Sequence, residues 1–143
     1  MLDLDLLMLK SPERFQALCL RLARDQYPTA QALAFSTHDG GRDVVALIAS
    51  GTRRKARAVV FQSKFVPQPS KAKRKIVESL DALKDTPFVV SRWILCLPVD
   101  PTGVFFDWLA VETAKRNRCH EVWGRTELLR RLEGRPDLVD VFF

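Results

Sequence analysis

The stretch "HDGGRDVVALIASGTRRKARAVVFQSKF", residues 38–65, decides how this chain folds. It contains two apolar runs, residues 43–50 and 56–65, which are joined by the short link "GTRRK". A link of this length between two strand-like runs predicts an antiparallel β-hairpin. Because residues equidistant from a hairpin's turn face each other across the two strands, we expect Asp43 to lie opposite Gln62.

Two polar residues, Gln62 and Lys64, interrupt the second apolar run. Residues two apart on a strand point to the same face, so these side chains are expected to project together, with Asp43 beside them at one end of the sheet. A carboxylate, an amide oxygen and the backbone carbonyl of Ser63 are hard oxygen ligands of the kind that Mg²⁺ prefers. A lysine beside such an ion suits phosphodiester hydrolysis. The alternative is structural: Gln62 satisfies a backbone group and Lys64 extends to solvent.

The flanking sequence predicts one α/β domain that covers all 143 residues. Ser11 and Pro12 open an amphipathic helix, and a short strand-like run follows at residues 29–37, before the hairpin. After the hairpin, Ser70 is the expected cap of a helix over residues 70–85, and residues 88–99 form a central strand. A helix (103–118), a strand (119–124) and a helix (125–133) complete the order α-β-β-β-α-β-α-β-α.

Composition excludes several classes of protein and site. No apolar run approaches the roughly 20 residues needed to cross a bilayer, and the first residues lack the features of a signal peptide, so we expect a cytoplasmic protein with no membrane partner. Three scattered cysteines without C-x-x-C pairs predict buried thiols rather than a zinc site. The chain has no phosphate-binding glycine loop, and its two histidines are far apart in sequence.

The formal net charge of +6 favours a polyanionic partner. Basic residues cluster in the hairpin turn, at the start of the second helix and at residues 115–118. Cations at a helix start oppose the helix dipole, so the second cluster indicates a ligand. The expected phosphate contacts come from the first two clusters: Arg53, Arg54, Lys55, Lys71, Lys73, Arg74 and Lys75. No base-reading motif is present, so recognition of a particular sequence is not expected.

Three segments, "SPERFQALCLRL", "HDGGRDVVAL" and "AVVFQSKF", resemble the catalytic domain of Mrr-type restriction endonucleases, a branch of the PD-(D/E)XK nuclease superfamily. The similarity covers roughly residues 11–97. It implies a restriction-endonuclease-like αβββαβ core, with a mixed central sheet flanked by helices. It also implies that Asp43 is the metal-binding acid, that Gln62 is the second ligand of Mg²⁺ or Mn²⁺, and that Lys64 is the catalytic lysine.

The chain departs from this family in its first helix, where Phe15-Gln16 stands in place of the family's Phe-Glu pair. Glu13, almost one helical turn earlier, is the candidate replacement for that metal-binding acid. Asp39 matches the first acid of the family's D-G-G-x-D motif. We expect Asp39 to cap the turn made by Gly40 and Gly41 rather than to bind the metal.

The resulting expectation is a magnesium-dependent endonuclease that cuts double-stranded DNA as an effector of restriction or anti-phage defence. A homo-oligomer and a fused regulatory or sensor domain are expected partners, because the ending "PDLVDVFF" suggests the N-terminal domain of a longer polypeptide whose next segment covers Phe142 and Phe143. One alternative is a degenerate nuclease fold that binds DNA without cutting, which Gln16 and Gln62 favour. Another is an assembly domain, for which the apolar end and two tryptophans expected to be exposed, Trp108 and Trp123, are the argument.

Overall fold

The computed structural model describes residues 1–33, 43–48 and 56–143. In these ranges the chain forms one five-stranded sheet with the strand order β1-β2-β3-β4-β5. The strands β1, β2 and β3 pair antiparallel, whereas β3, β4 and β5 pair parallel. The five strands are β1 (Gln31–Leu33), β2 (Asp43–Ile48), β3 (Arg57–Ser63), β4 (Val89–Cys96) and β5 (His120–Trp123). The predicted α/β class with a mixed central sheet is confirmed.

Helices connect the parallel strands and cover both faces of the sheet. The five α-helices are α1 (Pro12–Gln26), α2 (Lys73–Ala82), α3 (Gly103–Lys115), α4 (Arg125–Glu133) and α5 (Pro136–Phe142). Short 3₁₀ helices precede α1 at Leu6–Leu9 and flank α2 at Pro69–Ala72 and Leu83–Asp85. The element order from α1 to α4 is the predicted one. The sequence analysis did not predict α5 or the 3₁₀ helices.

The first two long helices begin differently. As predicted, the Ser11 side chain accepts a hydrogen bond from the Arg14 backbone N–H at 3.1 Å, which caps α1. The prediction that Ser70 caps the second helix is wrong. Pro69 instead opens a 3₁₀ helix that includes Ser70, and α2 begins after Ala72 without a side-chain cap. The fixed φ of proline favours an early start to the helical turn, which places Ser70 inside that turn.

Alternating residues of the central strands divide the core into two layers. Phe61 of β3 and Cys96 of β4 face one layer, which α1, α4 and α5 cover. Val60 and Leu95 face the other layer, which α2 and α3 cover. The carboxyl half of β4 is buried on both faces, as predicted for a central strand. Its amino end is more open, since Val89 is 49% exposed.

The predicted exposure of Trp123 and the predicted burial of Cys119 are wrong. Trp123 is fully buried because the ring of Phe61 packs against it at 5.1 Å and the Arg131 guanidinium lies 3.7 Å from its centroid. Trp108 is half-buried. Two of the cysteines are buried as predicted, but Cys119 is exposed because it lies in the turn before β5.

The last helix packs against the first. Leu138 of α5 enters the core, and the Arg14 guanidinium lies over the Phe142 ring at 5.6 Å while donating a hydrogen bond to the Phe142 backbone oxygen. Phe143 remains 40% exposed. The chain itself therefore covers part of the apolar end, and a further covering segment stays a prediction. Among the helices that the structure describes, none has the length and apolar character needed to cross a membrane.

Candidate active site at the carboxyl end of strand β3

The pairing of β2 with β3 has the register that the sequence predicted. Asp43 lies opposite Gln62, and the ladder continues to Ile48 opposite Arg57. This register brings the backbone of Asp43 to the end of the sheet where β3 carries Gln62 and continues to Lys64. The turn between the two strands lies outside the described residues, together with the predicted phosphate contacts Arg53, Arg54 and Lys55.

The polar residues at the end of β3 are buried. Gln62 is 0%, Ser63 9% and Lys64 7% exposed. The alternative prediction that Lys64 extends to solvent is therefore wrong. The cause is the central position of β3: the Lys64 backbone N–H donates to the Cys96 backbone oxygen at 3.0 Å, so the parallel ladder with β4 extends past Ser63.

The burial of Lys64 makes this residue a candidate for a functional role. Lysine is almost never buried in proteins unless it is paired, because removing an ammonium group from water costs several kcal/mol. A charged residue in such a position, next to a glutamine that is fully buried, is more costly than an apolar residue of similar size. Charged residues held in buried positions are candidates for catalytic roles.

A cleft opens beside this end of the sheet. It has a volume of about 190 Å³ and lies between the loops that follow β3 and β4, with Gln68, Ser70 and Thr102 among its polar lining residues. Open α/β sheets bind ligands in the crevice beyond the carboxyl ends of their parallel strands. Lys64 directly precedes the first of these loops, so the cleft and the buried polar residues belong to the same end of the molecule.

Helix α1 approaches this region from the other face of the sheet. Phe15 packs on Phe65 with a distance of 5.5 Å between the ring centroids, and both belong to the layer that contains Phe61. Gln62 follows Phe61 in β3, so by strand alternation it points to the α2 layer. Glu13 is exposed in the first turn of α1. Its proposed role as a metal ligand stays a prediction.

Gln16, which stands where the resembled family has an acid, is half-buried on α1. Its side-chain nitrogen Nε2 is shielded from solvent and has no hydrogen-bond partner in the part of the chain that the structure describes. An unsatisfied buried amide costs roughly 1–3 kcal/mol. A residue retained at that cost on the helix beside Phe65 is a candidate for contact with a ligand.

The predicted metal ligands fit a hard cation by their chemistry. Asp43 contributes a carboxylate, Gln62 an amide oxygen and Ser63 a backbone carbonyl, and water or phosphate would complete the coordination. Within the described ranges, no three His, Cys, Asp or Glu residues cluster as metal ligands. The expected ligand set has one carboxylate, from Asp43, and therefore differs from a cluster of three such residues. The turn residues Asp39, Gly40 and Gly41 lie outside the described residues.

Basic side chains lie on the 3₁₀ helix Pro69–Ala72 and the first turn of α2, a stretch called the start of α2. Lys71, Arg74 and Lys75 are exposed, and Lys73 is half-buried. Arg74 lies 3.4 Å from Glu78, but its side chain is 92% exposed. Among the described residues, no acid lies within ion-pair distance of Lys71, Lys73 or Lys75. The Lys73 Nζ instead lies 5.1 Å from the centroid of the Trp108 ring on α3. This region can therefore bind an anion without first breaking several internal ion pairs.

Two members of the third basic cluster, Lys115 and Arg116, are neutralised within the fold. Arg116 donates to Asp81 at 2.7 Å and to Glu112 at 2.9 Å. These contacts hold the pKa of both carboxyl groups below their usual values, with the hydrogen bond from Arg116 as the largest cause. Lys115 also pairs with Glu112, at 3.3 Å. Arg116 thus links α2 to α3 through Asp81, whereas Lys115 pairs with an acid of its own helix.

Sequence reasoning missed two features of this region. It did not predict that Lys64 would be buried, although the parallel pairing of β3 with a central β4 was the available signal. It also missed the contact between Lys73 and Trp108, for which no sequence signal exists because the two residues lie on different helices. Comparisons with models of protein families, with curated proteins and with solved structures find no significant match to this chain.

Proposed function

We propose that this chain is a metal-dependent endonuclease domain that hydrolyses DNA phosphodiester bonds, with a PD-(D/E)XK core of the Mrr type. The observation that carries this proposal is the β2–β3 register, in which Asp43 lies opposite Gln62 and a buried Lys64 follows two residues later. The element order α1-β1-β2-β3-α2-β4 and the switch from antiparallel to parallel pairing at β3 support the restriction-endonuclease-like fold.

The proposed chemistry divides the work between metal ligands and a cation. Asp43, the Gln62 amide oxygen and the Ser63 carbonyl would hold Mg²⁺ or Mn²⁺, with Glu13 as a candidate further ligand. A bound divalent ion polarises a phosphoryl oxygen and lowers the pKa of a coordinated water. The Lys64 ammonium orients the attacking water and stabilises the negative charge that develops on the phosphoryl oxygens. Its burial strengthens this effect, because charges interact more strongly where water is excluded.

The proposed substrate contact is the sugar-phosphate backbone of double-stranded DNA. Lys71, Lys73, Arg74 and Lys75 at the start of α2 supply the cations, and Arg53, Arg54 and Lys55 are the predicted second group. Contacts of this kind bind DNA of any sequence and weaken with salt. As an effector of restriction or anti-phage defence, the domain would act in the cytoplasm as a homo-oligomer and depend on a fused regulatory or sensor domain for control.

Cleavage of supercoiled plasmid with Mg²⁺, at low and moderate salt, tests this function. The chain is compared with Asp43→Asn, Lys64→Met and an EDTA control. Methionine is the better probe of Lys64 because the side chain is buried, and alanine would leave a destabilising cavity. The matched control is Lys84→Met, which removes a lysine charge at an exposed position after α2.

We expect the unmodified chain and Lys84→Met to nick or linearise the plasmid, and both site variants and the EDTA sample to leave it intact. Cleavage by a folded Lys64→Met protein would overturn the proposed role of the lysine. Salt-sensitive DNA binding without cleavage would favour the degenerate, DNA-binding fold. Neither binding nor cleavage would favour an assembly domain.

A further inference from the structure

Helix α3 is apolar on both of its sides. Its inner side buries Phe105 and Leu109 against the sheet. Its outer side exposes Val104 at 78% and Val111 at 55%. Exposed apolar residues that share one side of a helix mark a candidate interaction surface. The outer side of α3 is therefore a candidate interface.

The charges on this outer side have a self-complementary order. Asp107, Val111 and Lys115 are spaced four residues apart, so they lie on one stripe of the helix. With a rise of about 1.5 Å per residue, Asp107 and Lys115 lie about 6 Å on either side of Val111 along the axis. A twofold axis through Val111 would place Asp107 of each copy beside Lys115 of the other.

We propose that the outer face of α3 binds a second copy of this chain, with the two α3 helices antiparallel and their crossing point at Val111. The antiparallel arrangement forms two identical contacts between Asp107 and Lys115. A parallel arrangement in register would instead place Asp107 beside the same residue of the other copy, and likewise Lys115, and these like charges repel each other. The order of the two charges along α3 thus favours a second copy of the chain as the partner and an antiparallel orientation of the two helices.

Both charged residues are available for this contact. Asp107 is exposed, and its carboxylate has no cation within ion-pair distance in the part of the chain described. The Lys115 side chain is 62% exposed, and among the described residues the acid that it contacts is Glu112, at 3.3 Å. Because Arg116 also binds Glu112 at 2.9 Å, Lys115 can turn to a partner without leaving that acid unpaired. This inference concerns assembly and does not depend on the nuclease proposal.

Sedimentation equilibrium over a range of protein concentrations tests the interface by charge reversal. We expect Asp107→Lys and Lys115→Asp each to raise the dimer dissociation constant by more than about tenfold. The double reversal should restore dimerisation, because each new lysine again faces a new aspartate. Val111→Lys should abolish the dimer, since it places two ammonium groups at the twofold axis.

The matched control is Asp140→Lys, the same change at an exposed aspartate of α5 in the opposite layer, which should leave the dissociation constant unchanged. Circular dichroism and thermal unfolding establish that each variant is folded. A chain that stays monomeric at its highest soluble concentration would overturn the proposal. So would single reversals without effect, a folded double reversal as weak as either single variant, or an equal loss in the α5 control.

Discussion

Two basic regions of this molecule have opposite electrostatic surroundings. At the start of α2, three lysines have no acid within ion-pair distance among the described residues. Between the end of α3 and α5, arginines bind carboxylates of the fold. Arg125 binds the distant Asp3, and Arg135 binds the distant Asp25 and the nearby Asp137. The excess of positive charge is therefore available to a partner in the first region and neutralised within the fold in the second.

The residue types and the helix dipoles agree with this difference. The neutralised region uses arginine, whose planar group holds carboxylates with several hydrogen bonds, as Arg130 holds Glu127. Arg130 and Arg131 also lie in the last turn of α4, where the helix dipole favours cations. The lysines of α2 lie at a helix start, where the dipole disfavours them. An anion bound there would offset that cost.

The largest expected effect on DNA affinity comes from removing the three lysines at the start of α2. Replacing Lys71, Lys73 and Lys75 together with glutamine should lower DNA affinity by about 100-fold at low salt. It should also reduce the slope of log affinity against log salt by up to about 3, at roughly 0.9 per lost phosphate contact. Fluorescence anisotropy with a labelled duplex at several salt concentrations measures both quantities. Unchanged affinity would remove α2 from the DNA-binding surface.

A charge-matched triple variant in the other region should behave in the opposite way. Replacing Arg116, Arg125 and Arg135 with glutamine removes three positive charges, but these arginines already bind acids of the fold. We expect DNA affinity to change by less than about threefold, because the variant removes no cation that is free to bind a phosphate, while the melting temperature falls. A loss of affinity equal to that of the α2 variant would show that only net charge matters.

The acid response of stability should depend on Arg116. Its hydrogen bonds lower the pKa of Asp81 and Glu112, so each carboxyl has a lower pKa folded than unfolded. The stabilisation is fully present above the unfolded pKa values and is lost as the pH falls through the folded ones. Melting temperatures measured from neutral pH down to pH 3 should therefore fall less steeply for Arg116→Gln than for the unmodified chain. Parallel curves would contradict this assignment.

The smallest expected effect concerns the contact between Lys73 and Trp108. A cation over an aromatic ring at a partly exposed site contributes about 0.5–1 kcal/mol. Lys73→Gln should therefore shift the fluorescence emission of Trp108 with little change in melting temperature. Trp93 and Trp123 are fully buried, so DNA that binds at α2 should alter the emission of Trp108 more than theirs. A DNA-dependent change that persists in Trp108→Phe would place the bound DNA elsewhere.

The sequence predicted the local features of the fold and site but not the long-range contacts. The register of Asp43 with Gln62 followed from the short link between two strands, since the turn determines which residues face each other. The burial of Trp123 required the packing of Arg131 and Phe61, which a pattern of local periodicity does not contain. The neutralised state of Arg125 and Arg135 depends on acids more than 100 residues away.

Two errors had local physical causes. Ser70 matched the expected type of capping residue, but Pro69 begins a 3₁₀ helix one residue earlier. The alternative in which Lys64 reaches solvent assumed a free strand end, but the ladder to Cys96 continues past Ser63. Propensity rules describe each residue type by itself. Here the adjacent Pro69 determined the position of Ser70, and the neighbouring strand β4 determined the burial of Lys64.

We propose that DNA binding at α2 and chemistry at the end of β3 are separate properties of this chain. The most direct test measures duplex binding and Mg²⁺-dependent cleavage side by side in Lys64→Met and in the Lys71, Lys73 and Lys75 triple variant. We expect Lys64→Met to bind DNA within about threefold of the unmodified chain and to cut it at least about 100-fold more slowly, whereas the triple variant loses binding first. A folded Lys64→Met protein that cuts at the unmodified rate would contradict the proposed role of Lys64.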